Sequence, residues 1–109
     1  MELSLMTQAA SALAWPATIQ IIRVDGDAMY PTLKVGDFIA VDTEQRDVRE
    51  GVYVLKAGES LVVRRINMPL GGQVLVACDN KSYDLERVPV DTLSKEILGR
   101  VIFAETRIH

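Results

Sequence analysis

The sequence predicts a small, mostly β domain. Three observations carry that prediction. β-branched and aromatic residues gather in short runs of strand length rather than at helical spacing. Gly-, Asp-Asn- and Pro-containing turns separate those runs. The chain has 109 residues, enough for one domain that buries roughly two-thirds of the surface its unfolded chain exposes.

The elements follow in order. Leu3, Met6, Ala10 and Leu13 share one face of a helix over residues 1–15, and Pro16 ends it at or before Trp15. Glu2 stands where a signal peptide needs a basic residue. Residues 1–18 therefore read as a linker or N-terminal arm, a short helix included, and residues 19–109 as the domain. Residues 19–24 are rich in β-branched side chains and read as a strand. Residues 38–41 form a second, entered through Gly36-Asp37. Residues 52–56 and 61–66 form a hairpin around Ala57-Gly58-Glu59-Ser60. Gly71-Gly72 precedes a strand at 74–78, and Asp79-Asn80 follows it as a turn whose side chains bond nearby backbone. Residues 97–104 close the domain. Alternation there places Ile97, Gly99, Val101 and Phe103 on one face and Leu98, Arg100, Ile102 and Ala104 on the other. A strand apolar on both faces is either central and covered or paired with a second copy.

Composition narrows the function classes. Hydrophobic residues make up 49% and charged residues 25%, the balance of an ordinary globular domain. Twelve Lys and Arg against 15 Asp and Glu leave a net charge of −3, which disfavours a free-standing nucleic-acid binder. One Cys and one His provide neither a disulfide framework nor a Cys/His zinc site. No apolar run reaches the roughly 18 residues a membrane span needs. The expectation is a cytoplasmic protein without metal, cofactor or membrane partner.

The segment from Val24 to Asp42 carries most of the information. Gly26 permits a tight or left-handed turn at the end of the first strand. Tyr30 precedes a proline and is biased towards extended backbone. Pro31 suits the first position of a short helix, and Gly36 suits its exit. Residue 28 therefore sits on a strand-to-turn corner, a good place to present a nucleophile. The residue there is Ala28.

The same segment resembles the nucleophile motif of the LexA-like, S24-type self-cleaving family. That motif reads Gly-Asp-Ser-Met, one residue, Pro-Thr-Leu, two residues, Gly-Asp. Here Gly26, Asp27, Met29, Pro31, Thr32, Leu33, Gly36 and Asp37 match it. The resemblance extends through Gly51-Val52-Tyr53-Val54-Leu55, Leu61-Val62-Val63-Arg64-Arg65-Ile66, Cys78-Asp79-Asn80 with Tyr83, and Ile97-Leu98-Gly99-Arg100-Val101-Ile102. It covers about residues 19–108. Its Asp-Asn…Tyr segment is similar to that of phage-type, CI-like repressors.

In that family the nucleophile is a serine and the base a neutral lysine. The resemblance places the first at Ala28 and the second at Arg64. A methyl group cannot attack a carbonyl. A buried lysine can shed its proton, but arginine stays protonated and cannot act as base. Two accounts of Ala28 stand side by side: a serine exchanged to trap an uncleaved state, or natural loss of the activity, which Arg64 favours. Lys56, the nearest strand lysine, lies beside the hairpin turn. The only Ala-Gly is Ala57-Gly58 in that hairpin, where a scissile bond upstream of residue 28 would be expected.

The resemblance implies a C-terminal dimerisation and regulatory domain of a phage-type transcriptional repressor. Its homodimer interface would use Ile97, Val101 and Phe103 on the closing strand. Operator DNA would be read by a helix-turn-helix domain for which too few residues precede Ile19. An antirepressor, or a RecA-like inducer of an SOS response, would be the regulatory partner. The alternative is a disabled form of a self-cleaving serine peptidase, LexA- or UmuD-like. Type I signal peptidases share a similar motif but need a membrane anchor.

Overall fold

The computed structural model describes residues 16–106. The helical spacing over residues 1–15 lies outside the described residues. Seven strands form one antiparallel sheet: β1 (Ile19–Arg23), β2 (Phe38–Asp42), β3 (Gly51–Ala57), β4 (Ser60–Asn67), β5 (Leu75–Ala77), β6 (Glu86–Arg87) and β7 (Ile97–Glu105). Their order in the sheet is β1-β2-β7-β3-β4-β5-β6. The fold is mostly β, as the sequence predicts.

Two elements depart from the sequence reading by addition. A short helix, α1 (Val90–Glu96), precedes β7, and the two-residue β6 edges the sheet. The helix starts after Pro89 and buries Leu93. One buried apolar residue leaves little periodicity to detect. The strand expected at 74–78 is trimmed to Leu75–Ala77.

The hairpin forms as expected. Ala57 pairs with Ser60 across a two-residue turn, and Gly58 takes φ +63°, which a side chain would disfavour. Alternation along β3 then divides the core between two clusters. Val52 and Val54 join Val24, Met29, Leu33, Ile39 and Val41. Tyr53 and Leu55 join Ile66, Val74, Leu93 and Ile97.

Strand β7 corrects the simple alternation. It is central, with β2 on one side and β3 on the other. Its register against β3 shifts between Val54 and Leu55, and against β2 between Ala40 and Val41. Each shift leaves an extra β7 residue, Leu98 and Ile102, without a partner on the shifted ladder. Such a bulge reverses the faces downstream of it. Ile97 therefore lies opposite Leu55 in one cluster, Val101 opposite Val41 in the other, and Phe103 opposite Ala40. The single face expected for Ile97, Gly99, Val101 and Phe103 does not exist. Gly99 sits so close to β2 that an added Cβ would lie 2.6 Å from the Asp42 carbonyl oxygen.

Candidate functional site

The corner after β1 is anchored by backbone bonds on both sides of Val24. Its N–H donates to the Asp37 carbonyl and its carbonyl accepts from Gly36 N–H, each at 2.8 Å. Gly36 takes φ +94°, the freedom expected of it. Asp37 is fully buried. Its carboxylate accepts the Lys34 backbone N–H at 2.8 Å, so the buried charge is hydrogen-bonded.

Met29 and Leu33 drop from the corner into the core. Burying side chains of that size contributes about 1.5–3 kcal/mol each. Between them the chain turns: Tyr30 N–H donates to the Asp27 carbonyl and Leu33 N–H to that of Met29. The short helix expected from Pro31 is absent; residues 28–32 are turns and the Tyr30–Pro31 peptide is cis. The Ala28 carbonyl, which a helix would bond to Thr32 N–H, instead accepts from Asn80 N–H at 2.9 Å. Gly26 lies in a bend and does not take positive φ.

A second segment, residues 79–83, braces the corner. Asn80 Nδ2 donates to the Asp27 carbonyl at 3.0 Å. The Tyr83 hydroxyl donates to the Asp27 carboxylate at 2.5 Å. That bond is the main reason the Tyr83 phenol is pushed above its ordinary 10.0. Asp79 accepts from the Thr32 hydroxyl and receives two bonds from Arg65, Nε and Nη2, each at 2.8 Å. The Arg65 bonds hold the Asp79 carboxyl below its ordinary 3.8, against the opposing effect of burial. Of the turn expected at Asp79-Asn80, Asn80 behaves as foreseen, its Oδ1 accepting Ser82 N–H. Asp79 is committed to Arg65 and Thr32. The sequence reading missed that bidentate pair; the only signal for it was a carboxylate and an arginine on neighbouring segments.

Corner and hairpin enclose a cavity of about 560 Å³. Residues 22–29 line one side, β4 residues 60–64 another, and Val54 and Tyr83 complete it. Ala28 and Arg64, 36 positions apart in sequence, face the same cavity. Gly26, Asp27 and Met29 line it too, whereas Pro31 does not. Arg64 Nη1 donates to the Val63 carbonyl at 2.8 Å. Lys56 is exposed on β3 and is not part of the lining.

Chemically, Ala28 brings a methyl group and Arg64 a guanidinium to the lining of the cavity. Two lining residues carry hydroxyls. That of Tyr83 is given to Asp27, and that of Ser60 makes no hydrogen bond among the described residues. No group of three or more His, Cys, Asp or Glu that could hold a metal occurs among the described residues. Cys78 is partly exposed. No helix among the described residues is long and apolar enough to cross a membrane.

The residues expected at a self-association surface are dispersed. Ile97 is buried in the core, Val101 is half-buried, and Phe103 is 56% exposed beside Ile102 at 47%.

Comparison with known proteins adds two findings. The model of a family described as Peptidase S24-like matches residues 6–102. The chain is 32% identical over 79 residues to Repressor protein CI of Enterobacteria phage phi80. That match covers 72% of this chain and 33% of the relative, so the chain spans about a third of the relative's length.

Proposed function

This chain belongs to the Peptidase S24-like family, and from that premise we propose that it is the dimerising, regulatory domain of a phage-type transcriptional repressor that cannot cleave itself. The observation that carries the reading is the cavity shared by Ala28 and Arg64. The corner that would present a serine is intact in shape, anchored by Val24, Met29 and Leu33 and braced by Asn80 and Tyr83. It lacks the atom that attacks, and Arg64 cannot accept a proton. Binding and assembly remain as functions once that chemistry is gone.

Self-association is supported by the end of β7. Pairing with β3 extends only over Ile97 to Arg100, while pairing with β2 continues to Glu105. The β3 side of residues 102–104 is thus open among the described strands, with Ile102 and Phe103 exposed. An open edge carrying apolar side chains suits a second copy of the chain. A dimer would hold two operator-reading domains together and raise their effective concentration at paired half-sites. Release from DNA would then need a partner protein, an antirepressor, rather than cleavage prompted by a RecA-like inducer. Sedimentation equilibrium tests the assembly: a concentration-dependent dimer is expected, and a monomer at all concentrations contradicts it.

A further inference from the structure

Among the described residues, the edge of β4 that borders the cavity is open for part of its length. β5 covers only Arg65, Ile66 and Asn67. The tight Ala57/Ser60 turn fixes which backbone groups point outward. The residues flanking a two-residue hairpin turn bond each other, and the direction then alternates. Ser60, Val62 and Arg64 therefore direct their N–H and C=O to β3, while Leu61 and Val63 direct theirs out at the free edge. The contact from Arg64 Nη1 to the Val63 carbonyl agrees with this assignment. Among the described residues it is also the only hydrogen bond of the Arg64 side chain, and it caps one outward acceptor. Arg64 has no ion-pair partner among the described residues, whereas its neighbour Arg65 is paired with Asp79. The two carboxylates of the lining do not change this: Asp27 accepts from Tyr83, and Asp25 is exposed.

We propose that this cleft receives an extended acidic segment of a partner protein, which adds as a strand to Leu61 and Val63 of β4 and places a carboxylate on Arg64. This inference rests on the reading of the cavity as one without cleavage chemistry. The geometry offers three matched features. The outward N–H and C=O groups of Leu61 and Val63 supply main-chain pairing, which gives affinity. The planar guanidinium has five N–H donors, one of them bonded among the described residues, and suits a bidentate carboxylate. Ala28 adds no polar side chain to the cleft, so the segment's apolar positions meet Ala28, Ile22 and Val63, lining residues that are partly exposed. Arg64 would leave the Val63 carbonyl as the strand arrives, exchanging a neutral acceptor for a charged one.

The test is fluorescence anisotropy with the 109-residue chain and end-blocked peptides of about six residues, a typical strand length, alternating valine with glutamate or with glutamine. The glutamate peptide is expected to bind about tenfold more tightly than the glutamine peptide. Arg64→Gln should erase that preference. Leu61→Pro, which removes an outward N–H and leaves the β3 ladder in place, should weaken both peptides at least tenfold, with circular dichroism showing the strands retained. Equal binding of the two peptides, or a preference that survives Arg64→Gln, overturns the proposal. So does glutamate-peptide binding seen only after residues 1–15 are removed, because the occupant is then the chain's own N-terminal segment. None of these outcomes alters dimerisation or the missing nucleophile, so the parent reading stands or falls separately.

Discussion

The Tyr83 hydroxyl meets the Asp27 carboxylate at 2.5 Å across 56 residues of sequence. With the Asn80 bonds to Ala28 and Asp27, it clamps the corner that follows β1 to the segment that follows β5. None of these bonds uses the side chain of residue 28. Fold and chemistry are therefore separable here.

Tyr83 should report on the clamp directly. Its phenol is raised first by the bond to the Asp27 carboxylate and then by that charge. A raised folded value means the contact is complete below the ordinary 10.0 and is lost as pH rises through the folded value. Ultraviolet titration, with Tyr83→Phe to assign the transition, should show Tyr83 ionising above 10.0. Asp27→Asn should bring it back down. A Tyr83 transition that Asp27→Asn does not move would show that the bond does not form.

Asp79 makes the opposite prediction. Its carboxyl is held below 3.8, first by the Arg65 hydrogen bonds. A depressed folded value means that the stabilisation is complete above the unfolded value and is lost as pH falls through the folded one. Asp79→Asn should cost about 1–2 kcal/mol in urea unfolding at neutral pH, the low end for charged hydrogen bonds because Arg65 is partly exposed. The difference from wild type should shrink as pH drops below about 4. A difference that stays constant with pH would mean that the pair is not the cause.

Gly99→Ala should destabilise the domain by about 1–3 kcal/mol, the usual cost of overpacking. The added carbon would meet the Asp42 carbonyl oxygen at 2.6 Å and Val41 Cγ1 at 2.8 Å, backbone and core atoms that yield poorly. Thermal unfolding measures this, and an unchanged midpoint would contradict the close β2–β7 approach.

Phe103→Lys should weaken self-association at least tenfold while leaving the unfolding midpoint nearly unchanged, since Phe103 is mostly exposed. Sedimentation equilibrium checks it. An unaltered association constant in a folded variant removes this end of β7 from the interface.

The longer strands, the hairpin and the turn at residue 28 were legible because their signals are local, whereas the short helix expected from Pro31 does not form. Gly58 and Gly36 mark turns by backbone chemistry, and β-branched runs mark strands. Motif spacing singles out Ala28 and Arg64, and both line one cavity. Helix α1 was not, because a seven-residue helix burying one leucine carries almost no period. The bulges at Leu98 and Ile102 were not, because a register shift depends on the partner strand. The Arg65–Asp79 pair was hidden for the same reason: a motif fixes positions along the chain and says little of which side chains meet across it.

Intact-mass measurement after exposure to a fluorophosphonate probes the central claim most directly, because the reagent modifies only an activated hydroxyl. The chain as it stands should remain unmodified. Ala28→Ser should remain so too, since Arg64 cannot take the proton. Ala28→Ser combined with Arg64→Lys should acquire one adduct, mapped to position 28, as the lysine supplies a base. An adduct on the unaltered chain, or on Ala28→Ser alone as fast as on the double variant, would contradict the account.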